Sequence, residues 1–111
     1  MAPADRSDLL QGTLDMLVLK TLDAGPLHGY AIAQQINRTS RALLQVPQGS
    51  LYPALHRLEQ KGWLSAEWTE TESGRDAKVY RLTRKGRARL DAEIADWRRL
   101  SAAIALILEG A

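Results

Sequence analysis

The chain has no cysteine and no phenylalanine among its 111 residues, and aromatic residues make up only 5% of it. Without cysteine there is no disulfide, thiolate nucleophile or thiolate metal ligand, and a reducing cytoplasm is the simplest setting. The two histidines, His28 and His56, lie far apart with no ligand-like spacing, so no metal site and no cofactor is expected. No basic-then-apolar leader is read at the N-terminus, and the longest apolar stretch, Leu14 to Leu22, is interrupted by Asp15 and Lys20. Neither a secretion signal nor a membrane span is expected. No nucleophile–base pairing is visible, and Gly25, Gly29, Gly49, Gly62, Gly74 and Gly86 are scattered as turn and cap residues rather than gathered into a phosphate loop. That pattern speaks against an enzyme.

What is present is aliphatic. Apolar residues are 45% of the chain, so its core is built from Leu, Ile, Val and Ala, which suits helices in one small domain. Residues 1–7 read as a polar, loose arm. Asp8 is a candidate N-cap for a helix carrying Leu9, Leu10, Leu14, Leu17, Val18, Leu19 and Leu22, stopped by Gly25-Pro26. Its apolar residues cover more than one stripe, so one side faces its own domain and the other, with Leu10, Leu14 and Leu17, a second subunit. A second helix is expected from His28 or Gly29 to Ser40, then a connector over 41–46 with one further helical turn near Ala42–Leu44. Strands are expected over 63–69 and 77–82, joined through the turn signal Ser73-Gly74. Thr83 can cap a long last helix that reaches Leu108.

The most informative stretch is PQGSLYPALHRLEQKGWL, Pro47 to Leu64. Leu51, Leu55 and Leu58 recur at helical spacing and face a core, which places Gly49, Pro53, His56 and Gln60 on the opposite face with Arg57 beside them. That outer face bears hydrogen-bonding groups and positive charge and no carboxylate. Pro53 is expected in the first turn, where a missing N–H costs little, and Gly49 and Ser50 open the helix with free N–H groups that suit a phosphate. Gly62 ends it, and a hairpin follows. A polar-faced helix before a hairpin is how a winged helix-turn-helix meets DNA; an ordinary amphipathic surface helix would have the same leucine spacing.

Three blocks, GPLHGYAIAQQI (Gly25–Ile36), QGSLYPALHRLEQKGWL (Gln48–Leu64) and AKVYRLTRKG (Ala77–Gly86), resemble in order the signature blocks of the PadR family of bacterial transcriptional regulators. The resemblance spans roughly residues 9–90. It implies a winged helix-turn-helix over 8–82 and, as in the short form of the family, a single C-terminal dimerisation helix over 83–111. The fold class is thus mainly α with a small β-hairpin. The implied function is a dimeric, sequence-specific DNA-binding regulator, a repressor in the first instance, acting in the cytoplasm on a near-palindromic operator.

Arg75, Lys78, Arg81, Arg84, Lys85, Arg87 and Arg89 face the single acid Asp76 between positions 75 and 89. This surplus of six positive charges covers the expected wing and the start of the last helix, an electrostatic footprint for a polyanion. Base edges in the major groove are within the chemistry of Gln48, His56 and Arg57, and phosphates within that of Gly49, Ser50 and Tyr52. Arg75 and Lys78 are assigned to the minor groove or its phosphates. Tyr52 has packing on the second helix as a competing role. Tyr30 has the same ambiguity, since the resemblance implies both packing and backbone contact. His28 reads as a local hydrogen-bonding residue.

Leu90, Ile94, Trp97, Ser101, Ile104 and Leu108 are spaced alternately by four and three, a coiled-coil-like seam widened by Leu100 and Ile107. A monomer would leave much of it in water, which points to a two-fold dimer with two recognition helices about 34 Å apart. Trp97 lies mid-seam. It either fills the interface or, as the resemblance to short members with a flat apolar cavity implies, stacks a planar aromatic effector. The competing function is a winged helix that docks another protein without binding DNA. Such a module has no need of the basic wing or the acid-free face.

Overall fold

Leu14, Val18, Leu19 and Leu22 are buried along one side of the first helix, α1 (Arg6–Asp23). They form the floor of a core completed by Ile32 and Ile36 of α2 (Gly29–Thr39), by Leu51, Ala54, Leu55 and Leu58 of α3 (Gln48–Gln60), and by Leu64, Tyr80 and Leu90. The computed structural model describes residues 6–110, with side chains from Gly12 onward. The expected arm, residues 1–7, therefore lies largely outside the described residues. Its last two residues are helical, and α1 begins before Asp8, which is not its cap.

Between α1 and α2 the chain adds β1 (Leu27–His28), which pairs antiparallel with β3 (Asp76–Leu82). The expected hairpin, β2 (Leu64–Glu70) with β3, is thus part of a three-stranded sheet in the order β1-β3-β2. Two residues are too few to show an alternating pattern, so no strand is expected here, and His28 falls at the edge of the expected second helix. The turn from α2 to α3 contains no further helical turn. Arg41 and Ala42 both adopt left-handed backbone angles, with φ of 55° and 65°. That conformation is costly for residues with a Cβ. Local bonds hold it: Ala42 N donates to the Asn37 carbonyl at 2.8 Å, Leu44 N donates to Ser40 Oγ at 3.0 Å, and Asn37 Nδ2 donates to the Leu44 carbonyl at 3.3 Å.

Helix α4 (Arg84–Glu109) starts on Thr83, whose Oγ1 accepts from Gly86 N at 2.9 Å and donates to the Gly62 carbonyl at 2.7 Å. A Cβ on Gly86 would lie 2.0 Å from the Trp63 carbonyl oxygen, so the first turn of α4 sits directly on the base of the hairpin. At 26 residues α4 is about 39 Å long.

The residues assigned to an intersubunit seam divide. Leu14 (5% exposed) and Leu90 (2%) are buried inside the protomer's own core and have nothing left to offer a partner, which corrects their assignment. Periodicity identifies a face that is covered, not what covers it. Leu17 and Ile94 pack on the edge of that core, Leu17 also lining a cleft of about 480 Å3 between α1 and α2. Ser101 is half-buried, and its hydroxyl donates to the Arg98 carbonyl at 3.2 Å. Further along α4, Trp97 (49%), Leu100 (59%), Ile104 (44%), Ile107 (80%) and Leu108 (79%) are exposed. The side chain of Leu10 lies outside the described residues.

Candidate nucleic-acid interface

The leucine stripe of α3 is fully withdrawn from solvent, while Gln48, Gly49, Tyr52, Pro53, His56 and Gln60 are exposed. The helix begins on Gln48, one residue earlier than expected, with Pro47 in the capping position. The N–H groups of both Ser50 and Leu51 donate to the Pro47 carbonyl at 3.0 Å. Ser50's amide is thus engaged, and the N–H groups of Gln48 and Gly49 are the ones that precede the first backbone bonds. Pro53 is the sixth helical residue rather than a first-turn one. Lacking an N–H, it cannot bond the Gly49 carbonyl, so that oxygen is left without its intrahelical donor on the outer face. A Cβ on Gly49 would meet nothing within 4 Å, so packing within the protomer makes no demand for glycine there.

Two of the expected DNA-contacting cations are already engaged. Arg57 Nη2 lies 2.6 Å from Asp15 Oδ1 of α1, and both side chains are largely covered. Lys78 Nζ lies 3.0 Å from Glu59 Oε1. The hydrogen bond that Lys78 donates to Glu59 holds the lysine pKa above its ordinary value, partly opposed by desolvation. The cause is geometric. Arg57 sits roughly 130° around the helix from the middle of the leucine stripe and Glu59 roughly 70° the other way, so each reaches an acid or base on the element that flanks its side of α3. In the free protein Arg57 ties α3 to α1, and its expected contact with base edges competes with that pair. Lys78 ties α3 to the wing.

The basic run divides as well. Arg75 is exposed in the turn of the wing, where Thr71 N and Oγ1 donate to its carbonyl at 2.8 and 2.9 Å and Gly74 takes φ 81°. From there to the hairpin base, Leu64 opposite Leu82, the register runs seven residue pairs, about 20 Å. Arg84, Lys85, Arg87 and Arg89 belong to that base. Arg87 pairs with Asp23 at 2.8 Å, Arg89 with Glu93 at 2.6 Å, and Arg81 with Glu67 at 3.2 Å. Among the described residues, Arg75, Arg84 and Lys85 are the members of the run with no ion pair. The run does not form one patch beside α3.

Between α3 and the wing lies a groove of about 280 Å3 lined by His28, Tyr30, Tyr52, Trp68, Lys78 and Tyr80, among others. Gly29 permits it, since a Cβ there would stand 3.0 Å from Tyr52 Cε1 and 3.4 Å from Tyr80 Cε1. Tyr80 is buried, and desolvation pushes its phenol above the usual tyrosine range. Tyr30 and His28 stack with ring centroids 5.6 Å apart. His28 gives α2 no side-chain cap, and its buried Nε2 has no partner among the described residues, so its expected role as a local hydrogen-bonding residue is also corrected. Both tyrosines are exposed enough to reach a ligand, which bears on the ambiguity left for each. The sequence reading missed Trp68 and Gly29. The register that sets Trp68 opposite Lys78 was the available signal for the first.

The fold has counterparts among known proteins. A PadR family regulator from Eggerthella lenta is 34% identical, with a TM-score of 0.80, covering 92% of this chain and 87% of its own. A PadR-like transcription factor from Bacteroides fragilis is 33% identical, with a TM-score of 0.75, over 92% of this chain and 96% of its own. A transcriptional regulator of Mycobacterium tuberculosis is 42% identical over 64 residues, 58% of this chain and 56% of its own. The Transcriptional regulator PadR-like family matches residues 18–92, and the chain belongs to that family.

Proposed function

We propose that the protein is a homodimeric repressor that reads a near-palindromic operator with the outer face of α3. The observation that carries this reading is the polarity of α3: buried leucines on one side, and on the other an exposed, acid-free surface of Gln48, Gly49, Tyr52, Pro53, His56 and Gln60. Such a face offers donors and acceptors to base edges, and the first-turn N–H groups to a phosphate. Arg75, alone at the wing tip, supplies a salt-sensitive contact. The exposed apolar seam of α4 favours dimerisation, since surfaces of this kind are covered in stable proteins. A repressor then acts by occupying promoter DNA and excluding polymerase. Retention of sheared genomic DNA by the protein, followed by sequencing, is expected to return a shared inverted repeat. Fragments that merely sample the genome's composition would sink sequence-specific reading.

Release by an effector belongs to the same proposal. Trp97, exposed by half on the α4 seam, would lie near its copy across a two-fold axis, where a planar hydrophobic compound stacks between the rings and changes the half-site spacing. The ligand lowers operator affinity only by its difference in affinity for the two states. Quenching of tryptophan emission by planar aromatic dyes should vanish in Trp97→Ala, with Trp63 and Trp68 retained and dimerisation intact. Dye binding that survives without Trp97, or that leaves DNA affinity unchanged, makes Trp97 a packing residue.

A further inference from the structure

Major and minor grooves of a duplex are separated by a single sugar–phosphate ridge. If α3 enters the major groove and the wing the minor groove, that ridge must pass between them. The space between them here is the aromatic groove, not a basic one. Tyr30 (53% exposed), Tyr52 (41%) and Trp68 (68%) are exposed around it, and Tyr80 forms its floor. These rings come from α2, α3, β2 and β3, so four elements contribute to one small surface. The lysine in the groove, Lys78, stands 5.5 Å from the Tyr80 ring and 6.0 Å from the Trp68 ring while paired with Glu59. It neutralises the carboxylate that a phosphate would otherwise meet.

We infer that this groove is the seat of the DNA backbone ridge, with a deoxyribose packed against Trp68 and Tyr30 and the adjoining phosphate beside the Tyr52 hydroxyl and the Lys78 ammonium. The inference rests on the DNA-binding reading above and adds a contact of a different physical kind. Apolar burial of a sugar contributes affinity that is independent of sequence and nearly independent of salt, whereas the Arg75 contact is ionic. Trp68 and Tyr30 are positioning residues: they fix how deep the recognition helix sits without reading a base.

The test is equilibrium binding of a mixed-sequence DNA duplex, measured by anisotropy at several salt concentrations. Trp68→Ala is expected to weaken binding roughly tenfold with an unchanged salt slope, and Trp68→Tyr to restore most of it. Arg75→Ala should instead flatten the slope by about one unit. Tyr30→Ala, from the opposite wall, is expected to behave like Trp68→Ala and serves if that variant fails to fold. Wild-type affinity in both variants, while the wild type binds DNA, would overturn the aromatic seat and leave the DNA-binding reading standing. A wild type that binds no duplex would end both. If Trp68→Ala alters sedimentation of the free protein instead of DNA affinity, the groove is a contact between copies and the inference is wrong.

Discussion

Gly86 shows how much one hydrogen atom in place of a methyl group decides. Its Cβ position is occupied by the Trp63 carbonyl, 2.0 Å away, and by a Leu82 methyl at 2.8 Å. Gly86→Ala must push α4 off the hairpin base, at a cost of about 3 kcal/mol. Urea unfolding of the variant checks this; a midpoint equal to the wild type's would contradict the contact. Lys78 makes a second prediction at this scale. Its folded pKa is raised above 10.5 by the Glu59 hydrogen bond, so the folded state binds that proton more tightly than the unfolded one. The resulting stabilisation is complete below the unfolded pKa and is lost as pH rises through the folded value. Removing the carboxylate with Glu59→Gln should therefore lower stability at neutral pH, and the gap to wild type should close in alkali. A gap independent of pH would show that the pair contributes nothing through ionisation.

Helix α3 is clamped along both flanks, by Asp15–Arg57 on the α1 side and by Glu59–Lys78 on the wing side. The first pair joins α1 to α3 and holds a partly covered cation against a carboxylate. Asp15→Asn should cost on the order of 1 kcal/mol of stability. It should also tighten non-specific DNA binding, increasing the salt slope by about one as Arg57 becomes available. Unchanged binding would mean that Arg57 is too far from DNA even when released. The amphipathic pattern of α3 was legible from Leu51, Leu55 and Leu58, because a covered face repeats every 3.6 residues. The ion pairs were not. Asp15 and Arg57 are 42 residues apart, Glu59 and Lys78 are 19 apart, and no local rule joins them. The same gap explains why the charge run between Arg75 and Arg89 read as one patch: proximity in sequence concealed the length of the hairpin between tip and base.

For the whole molecule, one end of α4 is anchored in the core by Leu90, and from Trp97 to Leu108 the helix carries six large apolar side chains exposed to water. A dimer is expected in solution at micromolar concentration, and Ile104→Asp should break it by placing a charge in a buried seam. Analytical ultracentrifugation decides; a folded wild-type monomer would contradict the assembly. The spacing of four and three marked an apolar stripe on α4 but gave Leu90 to a partner, as the two-sided pattern of α1 did Leu14, because periodicity cannot separate a protomer's own core from a partner's. The most direct test of the central claim, that the outer face of α3 reads DNA, is Gly49→Asp. The site has open space, so the fold accepts the side chain. A carboxylate in the first helical turn favours the helix and replaces a poor helix former. Stability should hold or rise. Affinity for a duplex recovered from the genome should fall about a hundredfold, because the new charge faces phosphate. A Gly49→Asp variant that folds and binds that duplex as the wild type does would contradict the account.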